Sequence, residues 1–313
     1  MTLYNDLNHQ HSTKLVGLDS YINEMINLYE ANRFPKVLLL NGKKGTGKFT
    51  LTMHLINYIF SKNEPTKYDV KDKSINVESV FYNQLLSKTT SDIIFIQAEE
   101  NKNIKIEDIR SLKSTLANTS LSNNPRFTII DEVEFLNINS VNALLKILEE
   151  PSNNNFFILI NNHQADLIET ISSRCLKYNI FLNSIQKKEV INYLIKDRKI
   201  ENLIDLNYNL SPGQFIKFNE IYLKYKIDKN YNIFSKLNIL INGYKKEKDK
   251  SLISLAYFII DYSFFNKIKK NENDIHFLLD AKSSIVKIIH DFVQFNLNIS
   301  SVLNSIKIKL NNV

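Results

Sequence analysis

The fold is decided by the stretch Val37-Leu38-Leu39-Leu40-Asn41-Gly42-Lys43-Lys44-Gly45-Thr46-Gly47-Lys48. Its first four residues form a short apolar run, and the segment that follows it has helical periodicity, with apolar residues on one face at Leu51, Leu55, Ile56 and Ile59. Between this strand and this helix, Gly42 to Lys48 fits G-x-x-x-x-G-K, which is the context that a phosphate-binding loop requires. Glycines let backbone N–H groups turn toward phosphate oxygens, and the helix N-terminus attracts the same charge. We therefore predict that Gly42, Gly45, Gly47 and Lys48 bind a nucleotide, with Lys48 reaching the β- and γ-phosphates.

This phosphate loop has a defect at the residue after its lysine. Such loops normally continue with Ser or Thr, whose hydroxyl binds Mg²⁺, but here the residue is Phe49. Thr50 comes one position later, and because a helix turns about 100° per residue it cannot take over the metal position. We keep Thr50 as a candidate contact for an α-phosphate. The sequence thus favours a site that binds nucleotide poorly or without productive metal.

A second candidate site follows the apolar run Phe127-Thr128-Ile129-Ile130, which ends at Asp131 and Glu132. Carboxylates at the carboxyl end of a parallel strand lie at the ligand crevice of such sheets. In phosphate-loop enzymes an Asp here helps to hold Mg²⁺. We expect the neighbouring Glu132 to be able to polarise an attacking water.

Periodicity along the chain predicts an α/β fold followed by helices. Short apolar strands are predicted at 37–40, 93–96, 127–130, 156–160 and 176–181, alternating with helices at 14–34, 49–60, 104–116 and 141–148. Alternation of this kind indicates a buried parallel sheet with helices on both faces. Residues 61–91 are polar and lysine-rich and read as a surface excursion with one helix near 77–86. Beyond 182 only helices are predicted, at 184–197, 213–226, 232–245, 250–269 and 276–295.

Composition excludes several classes of protein. The chain has 313 residues, of which 43% are hydrophobic, so it can bury ordinary cores in two or three domains. It contains no apolar run of about 18 residues that would span a membrane. A polar N-terminus and a single cysteine, Cys175, favour a reduced, cytoplasmic setting without a disulfide. The net charge of +7 permits contact with nucleic acid, although only five of the 40 basic residues are arginines and the lysines read mainly as solvated helix faces.

Three segments resemble a known family. Residues 141–151, Val-Asn-Ala-Leu-Leu-Lys-Ile-Leu-Glu-Glu-Pro, closely resemble the NALLK-LEEP segment of clamp-loader AAA+ subunits. Residues 170–175, Thr-Ile-Ser-Ser-Arg-Cys, resemble their T-I-x-S-R-C segment, and 156–162 is similar to the strand that carries sensor 1, near Asn161 or Asn162. The resemblance covers about residues 14–225 and implies a RecA-like AAA+ domain at 1–182, a small helical lid at 183–225 and a helical C-terminal collar for oligomerisation at 226–313.

The resemblance also gives Arg174 a role. In this family the arginine of the S-R-C segment acts in trans on ATP held by the neighbouring subunit, as an arginine finger. A planar guanidinium can contact γ-phosphate oxygens in pairs, which lysine cannot do. An arginine at this position of a lysine-rich chain is consistent with that need. We expect Cys175 beside it to be a small buried side chain and not a nucleophile.

The family includes bacterial gamma/tau motor subunits, delta-prime subunits and the small subunits of replication factor C. Four features favour the delta-prime type: Phe49, the approach Arg33-Phe34-Pro35-Lys36 to the phosphate loop, the chain length, and Gln214 in Ser-Pro-Gly-Gln where relatives carry a sensor 2 arginine. The well-preserved Asp131-Glu132 favours a motor, and a gamma/tau-type motor or a stand-alone AAA+ ATPase remains the alternative.

The delta-prime type implies a stator with little or no catalysis of its own, in a complex that loads the sliding clamp of the DNA polymerase III holoenzyme onto primed DNA. Its partners would be the gamma/tau motors, the clamp-opening delta subunit and the clamp. We expect ATP and magnesium to bind weakly or not at all. Many relatives carry four zinc-binding cysteines after the first phosphate-loop helix, but residues 61–91 contain no cysteine, so no zinc or other metal is expected.

Overall fold

The computed structural model describes residues 12–98, 103–117, 124–149, 151, 154–204, 210–270 and 275–311. Two compact units divide the chain. One comprises Met1–Lys199 with Tyr208–Gln214, and the other comprises Ile200–Asn207 with Phe215–Val313. The three domain ranges expected from the family resemblance stay predictions.

A five-stranded parallel sheet forms the centre of the first unit. Its strands are β1 (Val37–Asn41), β2 (Ile93–Gln97), β3 (Arg126–Asp131), β4 (Asn155–Asn161) and β5 (Leu176–Asn179). They lie in the order β2-β3-β4-β1-β5, and each pair of neighbours is parallel. The predicted α/β class with a parallel sheet is confirmed, and each strand lies within two residues of its predicted start. Because all strands run the same way, the loops after β1, β3 and β4 meet at one edge of the sheet.

The apolar strands are buried on both faces because successive side chains point to opposite sides. On one face, Leu38, Phe95 and Ile129 belong to a core cluster that includes α1 (Asp19–Glu30) and α2 (Lys48–Ser61). On the other, Leu39, Ile96 and Ile130 pack with α4 (Ile106–Ala117) and α5 (Ile138–Glu149). Two helical layers therefore hold the sheet rigid and fix the positions of the loops at its carboxyl edge.

The N-terminal helix is shorter than its periodicity predicts. The sequence predicts a helix over 14–34, but α1 begins at Asp19. Gly17 has φ +76°, in the left-handed region that stops a helix from extending through it. Before it, Leu15 N donates to Lys73 O and Ile75 N donates to Thr13 O, so this segment forms an isolated antiparallel bridge with a later loop.

Residues 61–91 contain the helix predicted near 77–86, as α3 (Val80–Leu86), and also a small core that their polarity does not predict. Tyr68, Ile75 and Tyr82 form this core. Buried His54 joins this segment to α2, because its Nδ1 lies 3.0 Å from the Tyr68 hydroxyl and its Nε2 lies 2.8 Å from Ser12 O. Hydrogen bonds and aromatic packing therefore hold the excursion on the first unit. Within the described ranges, no group of three or more His, Cys, Asp or Glu side chains is placed to bind a metal ion.

The remaining helices of the first unit are the short α6 (Glu169–Ser172) and α7 (Ser184–Asp197), and α8 (Pro212–Lys224) begins in it. The second unit is helical in its described part, with the rest of α8, α9 (Ile233–Glu247), α10 (Lys250–Lys270), α11 (Ile275–Phe295) and α12 (Ile299–Asn311). The apolar stripe of α10 is buried core, including Leu252, Leu255 and Ile260. Among the helices described, none is long and apolar enough to cross a membrane.

Candidate functional site

The phosphate loop joins β1 to α2 at the carboxyl edge of the sheet, as predicted. Gly45 and Gly47 have φ of +80° and +90°, so the loop takes a backbone path that other residues rarely adopt. Gly47 is the left-handed N-cap of α2, whose first residue is Lys48. Gly42 follows β1 directly, and its N–H donates to Asn161 O of β4. The predicted loop residues are thus brought together in the expected order.

Lys48 is turned inward onto its own loop. Its ammonium donates to Gly42 O and Lys43 O, both at 2.7 Å, and the residue is only 3% exposed. Burial lowers the pKa of Lys48 to about 8, and the charges of Asp131 and Glu134 partly oppose that shift. The lysine therefore stays mostly protonated at neutral pH. To contact this buried ammonium, a phosphate would have to replace its hydrogen bonds to two loop carbonyl oxygens.

A turn at residues 211–214 closes over the loop. Ser211 Oγ donates to Lys44 O at 2.7 Å, and Gly213 N donates to Gly45 O at 2.9 Å. The two glycines approach so closely that a Cβ added at Gly213 would lie 2.6 Å from the Gly45 Cα. We call this contact the loop latch. Sequence reasoning did not predict it.

Gln214 occupies the position where relatives carry the sensor 2 arginine, and here it hydrogen-bonds to Ser211 within the 211–214 turn. Gln214 N donates to Ser211 Oγ at 3.3 Å, and Ser211 N donates back to Gln214 Oε1 at 3.2 Å. This reciprocal pair is a capping box at the start of α8, with Pro212 in the first helical position where its missing N–H is harmless. The amide therefore satisfies a helix end and adds no positive charge to the phosphate loop.

The acidic strand end is held by neighbouring polar groups. Asn162 Nδ2 donates to Asp131 Oδ1 at 3.0 Å, which places Asn162 rather than Asn161 beside the aspartate. Asn161 instead donates to Asn41 Oδ1 at 2.7 Å, across to the end of β1. Asn162 is thus the asparagine that contacts the acidic strand end, and its sensor 1 role stays a prediction.

Two side chains contact the same carboxylate oxygen of Glu132. Lys44 of the phosphate loop forms an ion pair with its Oε1 at 2.7 Å, and Gln164 Nε2 donates to the same oxygen at 3.1 Å. Its backbone has φ +57°, an uncommon conformation for a residue with a side chain. In this arrangement the loop lysine binds one oxygen of the carboxylate and competes with any water for that oxygen.

Glu134 is a buried carboxyl that sequence reasoning missed. It is 7% exposed, and its Oε1 accepts hydrogen bonds from Asn162 N at 3.0 Å and Gln164 N at 3.4 Å. Burial raises the pKa of Glu134, since the charged form loses its hydration. In the sequence, the one feature that could have indicated Glu134 as a site residue is its position two residues after Glu132; in the structure it lies on the turn Val133–Phe135.

The metal position supplies no oxygen ligand. Phe49 packs against the core cluster beneath α1 and α2, with its ring centroid 6.1 Å from that of Phe95. Thr50 is half-buried on the first turn of α2, and Thr46 Oγ1 donates to Lys43 O at 3.0 Å. The side chains present after Lys48 therefore do not fit the magnesium site of an active phosphate-loop enzyme.

Arg174 contacts none of these residues in the described part of the chain. Its Nε and Nη2 donate to Glu149 Oε1 at 3.0 and 2.8 Å, and its Nη1 donates to Thr170 O at 3.0 Å. The side chain is 37% exposed. Next to it, burial raises the pKa of the Cys175 thiol to about 11, so the thiol stays protonated at neutral pH.

This sheet order, with the phosphate loop after β1 and acidic residues after β3, defines an α/β phosphate-loop protein of the RecA-like AAA+ class. The chain belongs to the family described as DNA polymerase III, delta subunit, whose model matches residues 17–183.

Individual relatives agree with this family. The chain is 27% identical over 286 residues to DNA polymerase III subunit delta' of Buchnera aphidicola subsp. Schizaphis graminum, covering 86% of this chain and 81% of that protein. It is 29% identical to subunit tau of Bacillus subtilis, over 56% of this chain and 30% of that one. A gamma subunit-related protein from Thermotoga maritima has a similar fold, with a TM-score of 0.50, 17% identity, and coverage of 91% and 98% of the two chains.

Proposed function

We propose that the chain is the delta-prime-type stator of a bacterial clamp loader, and that it turns over little or no ATP itself. The observation that carries the proposal is the closed phosphate loop, in which Lys48 is bound to loop carbonyls beneath the 211–214 turn. Phe49, which packs against the core, and Gln214, which lies in a capping box, support it, because they occupy positions where a motor needs a metal ligand and a positive charge. We infer that nucleotide binds weakly or not at all.

In this proposal the chain supplies Arg174 to an ATP site on a neighbouring motor subunit. The guanidinium lies partly exposed and outside this chain's own phosphate loop, as a trans-acting group requires. Its partners would be gamma/tau motors, the delta subunit, the sliding clamp and, through the complex, primed DNA. The setting would be cytoplasmic.

The second unit would provide the oligomerisation collar. Exposed aromatic side chains at Phe265, Phe277 and Phe295 leave apolar area on its surface. We propose that residues 226–313 join the partner subunits. A chain lacking them that still assembled fully with those subunits would contradict this part of the proposal.

A gamma/tau-type motor is the second candidate, since Asp131, Glu132 and Asn162 are brought together at the sheet edge as in an active site. Turnover by the isolated chain separates the two candidates. The stator predicts negligible magnesium-dependent ATP hydrolysis that Lys48→Ala does not change. Robust hydrolysis that Lys48→Ala abolishes would establish the motor.

A further inference from the structure

The side chain of Glu149 holds the Arg174 guanidinium from one edge. Glu149 is the last residue of α5, and Arg174 lies 25 positions later, just after α6. A single carboxylate oxygen accepts from both Nε at 3.0 Å and Nη2 at 2.8 Å. Hydrogen bonds between two ionised groups are among the stronger ones in proteins.

A second contact comes from a different direction. Nη1 donates to the Thr170 carbonyl at 3.0 Å, four residues before the arginine. A guanidinium is planar and carries five N–H groups. Contacts at Nε, Nη2 and Nη1 therefore fix the plane of the group, and they leave one N–H on each terminal nitrogen without a partner among the described residues. Those two N–H groups, which we call the fork, remain available to contact phosphate oxygens.

The ion pair is poorly placed to contribute much to stability. The side chains of Arg174 and Glu149 are 37% and 50% exposed, and exposed pairs of this kind usually add little to folding. The ion pair has a larger effect on the orientation of the guanidinium, because an unpaired arginine side chain samples many rotamers and only a few of them present the fork outward. The pair therefore affects direction more than stability.

We propose that Glu149 is a positioning residue for the arginine finger. It would keep the Arg174 fork pointing out of the subunit before the neighbouring ATP site forms around it. This inference rests on the proposed trans role of Arg174, and its test is designed so that the two can fail separately.

The test measures ATP turnover of the complete clamp loader, reconstituted with its motor subunits, sliding clamp and primed DNA. Five variants are compared: Glu149→Ala, Glu149→Gln, Arg174→Ala, the double variant Glu149→Ala/Arg174→Ala, and the control Glu169→Ala. Glu169 lies on α6 close to Arg174 in sequence, and its side chain makes no ion pair with Arg174 in the described structure. The control thus removes a similar negative charge from the same region and leaves the guanidinium contacts intact.

We expect Glu149→Ala to lower the kcat of the site served by Arg174 on the order of ten-fold, because a misdirected catalytic group loses much of its effect. The KM for ATP should change by less than about twofold, since the contact matters in the transition state and not for binding. Glu149→Gln should restore most of the turnover, because its amide oxygen can accept the same two hydrogen bonds. Adding Glu149→Ala to Arg174→Ala should cause no further loss, and Glu169→Ala should match the wild type.

Each other result has a definite meaning. Wild-type kcat in assembled Glu149→Ala, with a clear loss in Arg174→Ala, would overturn the positioning role and leave the finger intact. Wild-type kcat in Arg174→Ala would overturn the finger and the inference with it. A higher kcat in Glu149→Ala would show that Glu149 restrains the arginine instead of aiming it.

Assembly is checked by size for every variant. If Glu149→Ala does not assemble, Glu149→Asp replaces it, since it keeps the charge and withdraws the oxygen by one methylene. The positioning role predicts reduced kcat in that complex, and wild-type kcat there would overturn it.

Discussion

Replacing Gly213 by alanine tests the loop latch, because two effects of the substitution oppose each other. Gly213 has an ordinary helical backbone in the first turn of α8, so alanine there should favour the helix by up to about 1 kcal/mol. Its new Cβ, however, would lie 2.6 Å from Gly45 Cα and 3.3 Å from Gly45 O. These are backbone atoms of a constrained loop, which cannot move aside as a flexible side chain would.

The steric effect should dominate. Forcing an extra methyl group into a packed site typically costs about 1–3 kcal/mol. Separating the two segments also weakens the hydrogen bond from Gly213 N to Gly45 O, which contributes about 1 kcal/mol. After the gain in helix propensity is subtracted, Gly213→Ala should destabilise the first unit by about 1–3 kcal/mol.

Two measurements check this expectation. The denaturation midpoint of the full chain should fall in Gly213→Ala, and amide hydrogen exchange of peptides that contain Gly45 should speed up. Ser211→Ala is the comparison that adds no atoms, although it removes both the hydroxyl that donates to Lys44 O and the cap that accepts from Gln214 N. Its cost should be about 1–2 kcal/mol, without the steric displacement of Gly45. If Gly213→Ala stabilised the chain, Gly213 would not be packed against Gly45 and the latch would be refuted.

Two further predictions concern Arg174 and Glu64. Arg174→Ala should change thermal stability by no more than about 0.5 kcal/mol. It should nevertheless lower ATP hydrolysis at the neighbouring site, where such fingers contribute on the order of 10³- to 10⁵-fold in rate. Arg174→Lys should restore this hydrolysis poorly, and wild-type turnover by an assembled Arg174→Ala complex would rule the finger out. Glu64 accepts hydrogen bonds from Val80 N at 3.0 Å and Phe81 N at 2.8 Å at the start of α3. Glu64→Ala should therefore cost about 1 kcal/mol in thermal unfolding, and an equal cost for Glu78→Ala, whose side chain makes no such cap, would contradict this.

Most of the sheet was predictable from the sequence for a simple physical reason. A strand buried on both faces must be apolar at most positions, so runs such as 37–40 and 127–130, the second of which includes buried Thr128, are visible without knowledge of the tertiary structure. Helix ends were less predictable. The start of α1 depended on Gly17, and α12 was missed because only two of its side chains, Val302 and Ile306, are fully buried.

The site was predictable as a set of residues but not as a set of contacts. The motifs placed Lys48, Asp131 and Asn162 at one sheet edge, and the structure puts them there. The pairing of Lys44 with Glu132 depends on how two distant loops approach, which no local pattern encodes. The role of Gln214 was within reach, since Ser followed three residues later by Gln is itself a capping-box signature.

The preserved Asp131-Glu132 pair was the strongest sequence argument for a motor, and its contacts weaken that argument. A catalytic glutamate has to reach a water near the γ-phosphate, whereas Glu132 is bound at 2.7 Å by a lysine of the phosphate loop. The loop lysine Lys48, in turn, donates to the loop's own carbonyls. Lys48, Asp131 and Glu132 thus each have a hydrogen-bond or ion-pair partner within the chain, so the acidic residues also have a structural use in the closed loop. The presence of this motif alone is therefore compatible with either a stator or a motor, and measuring turnover by the isolated chain separates the two.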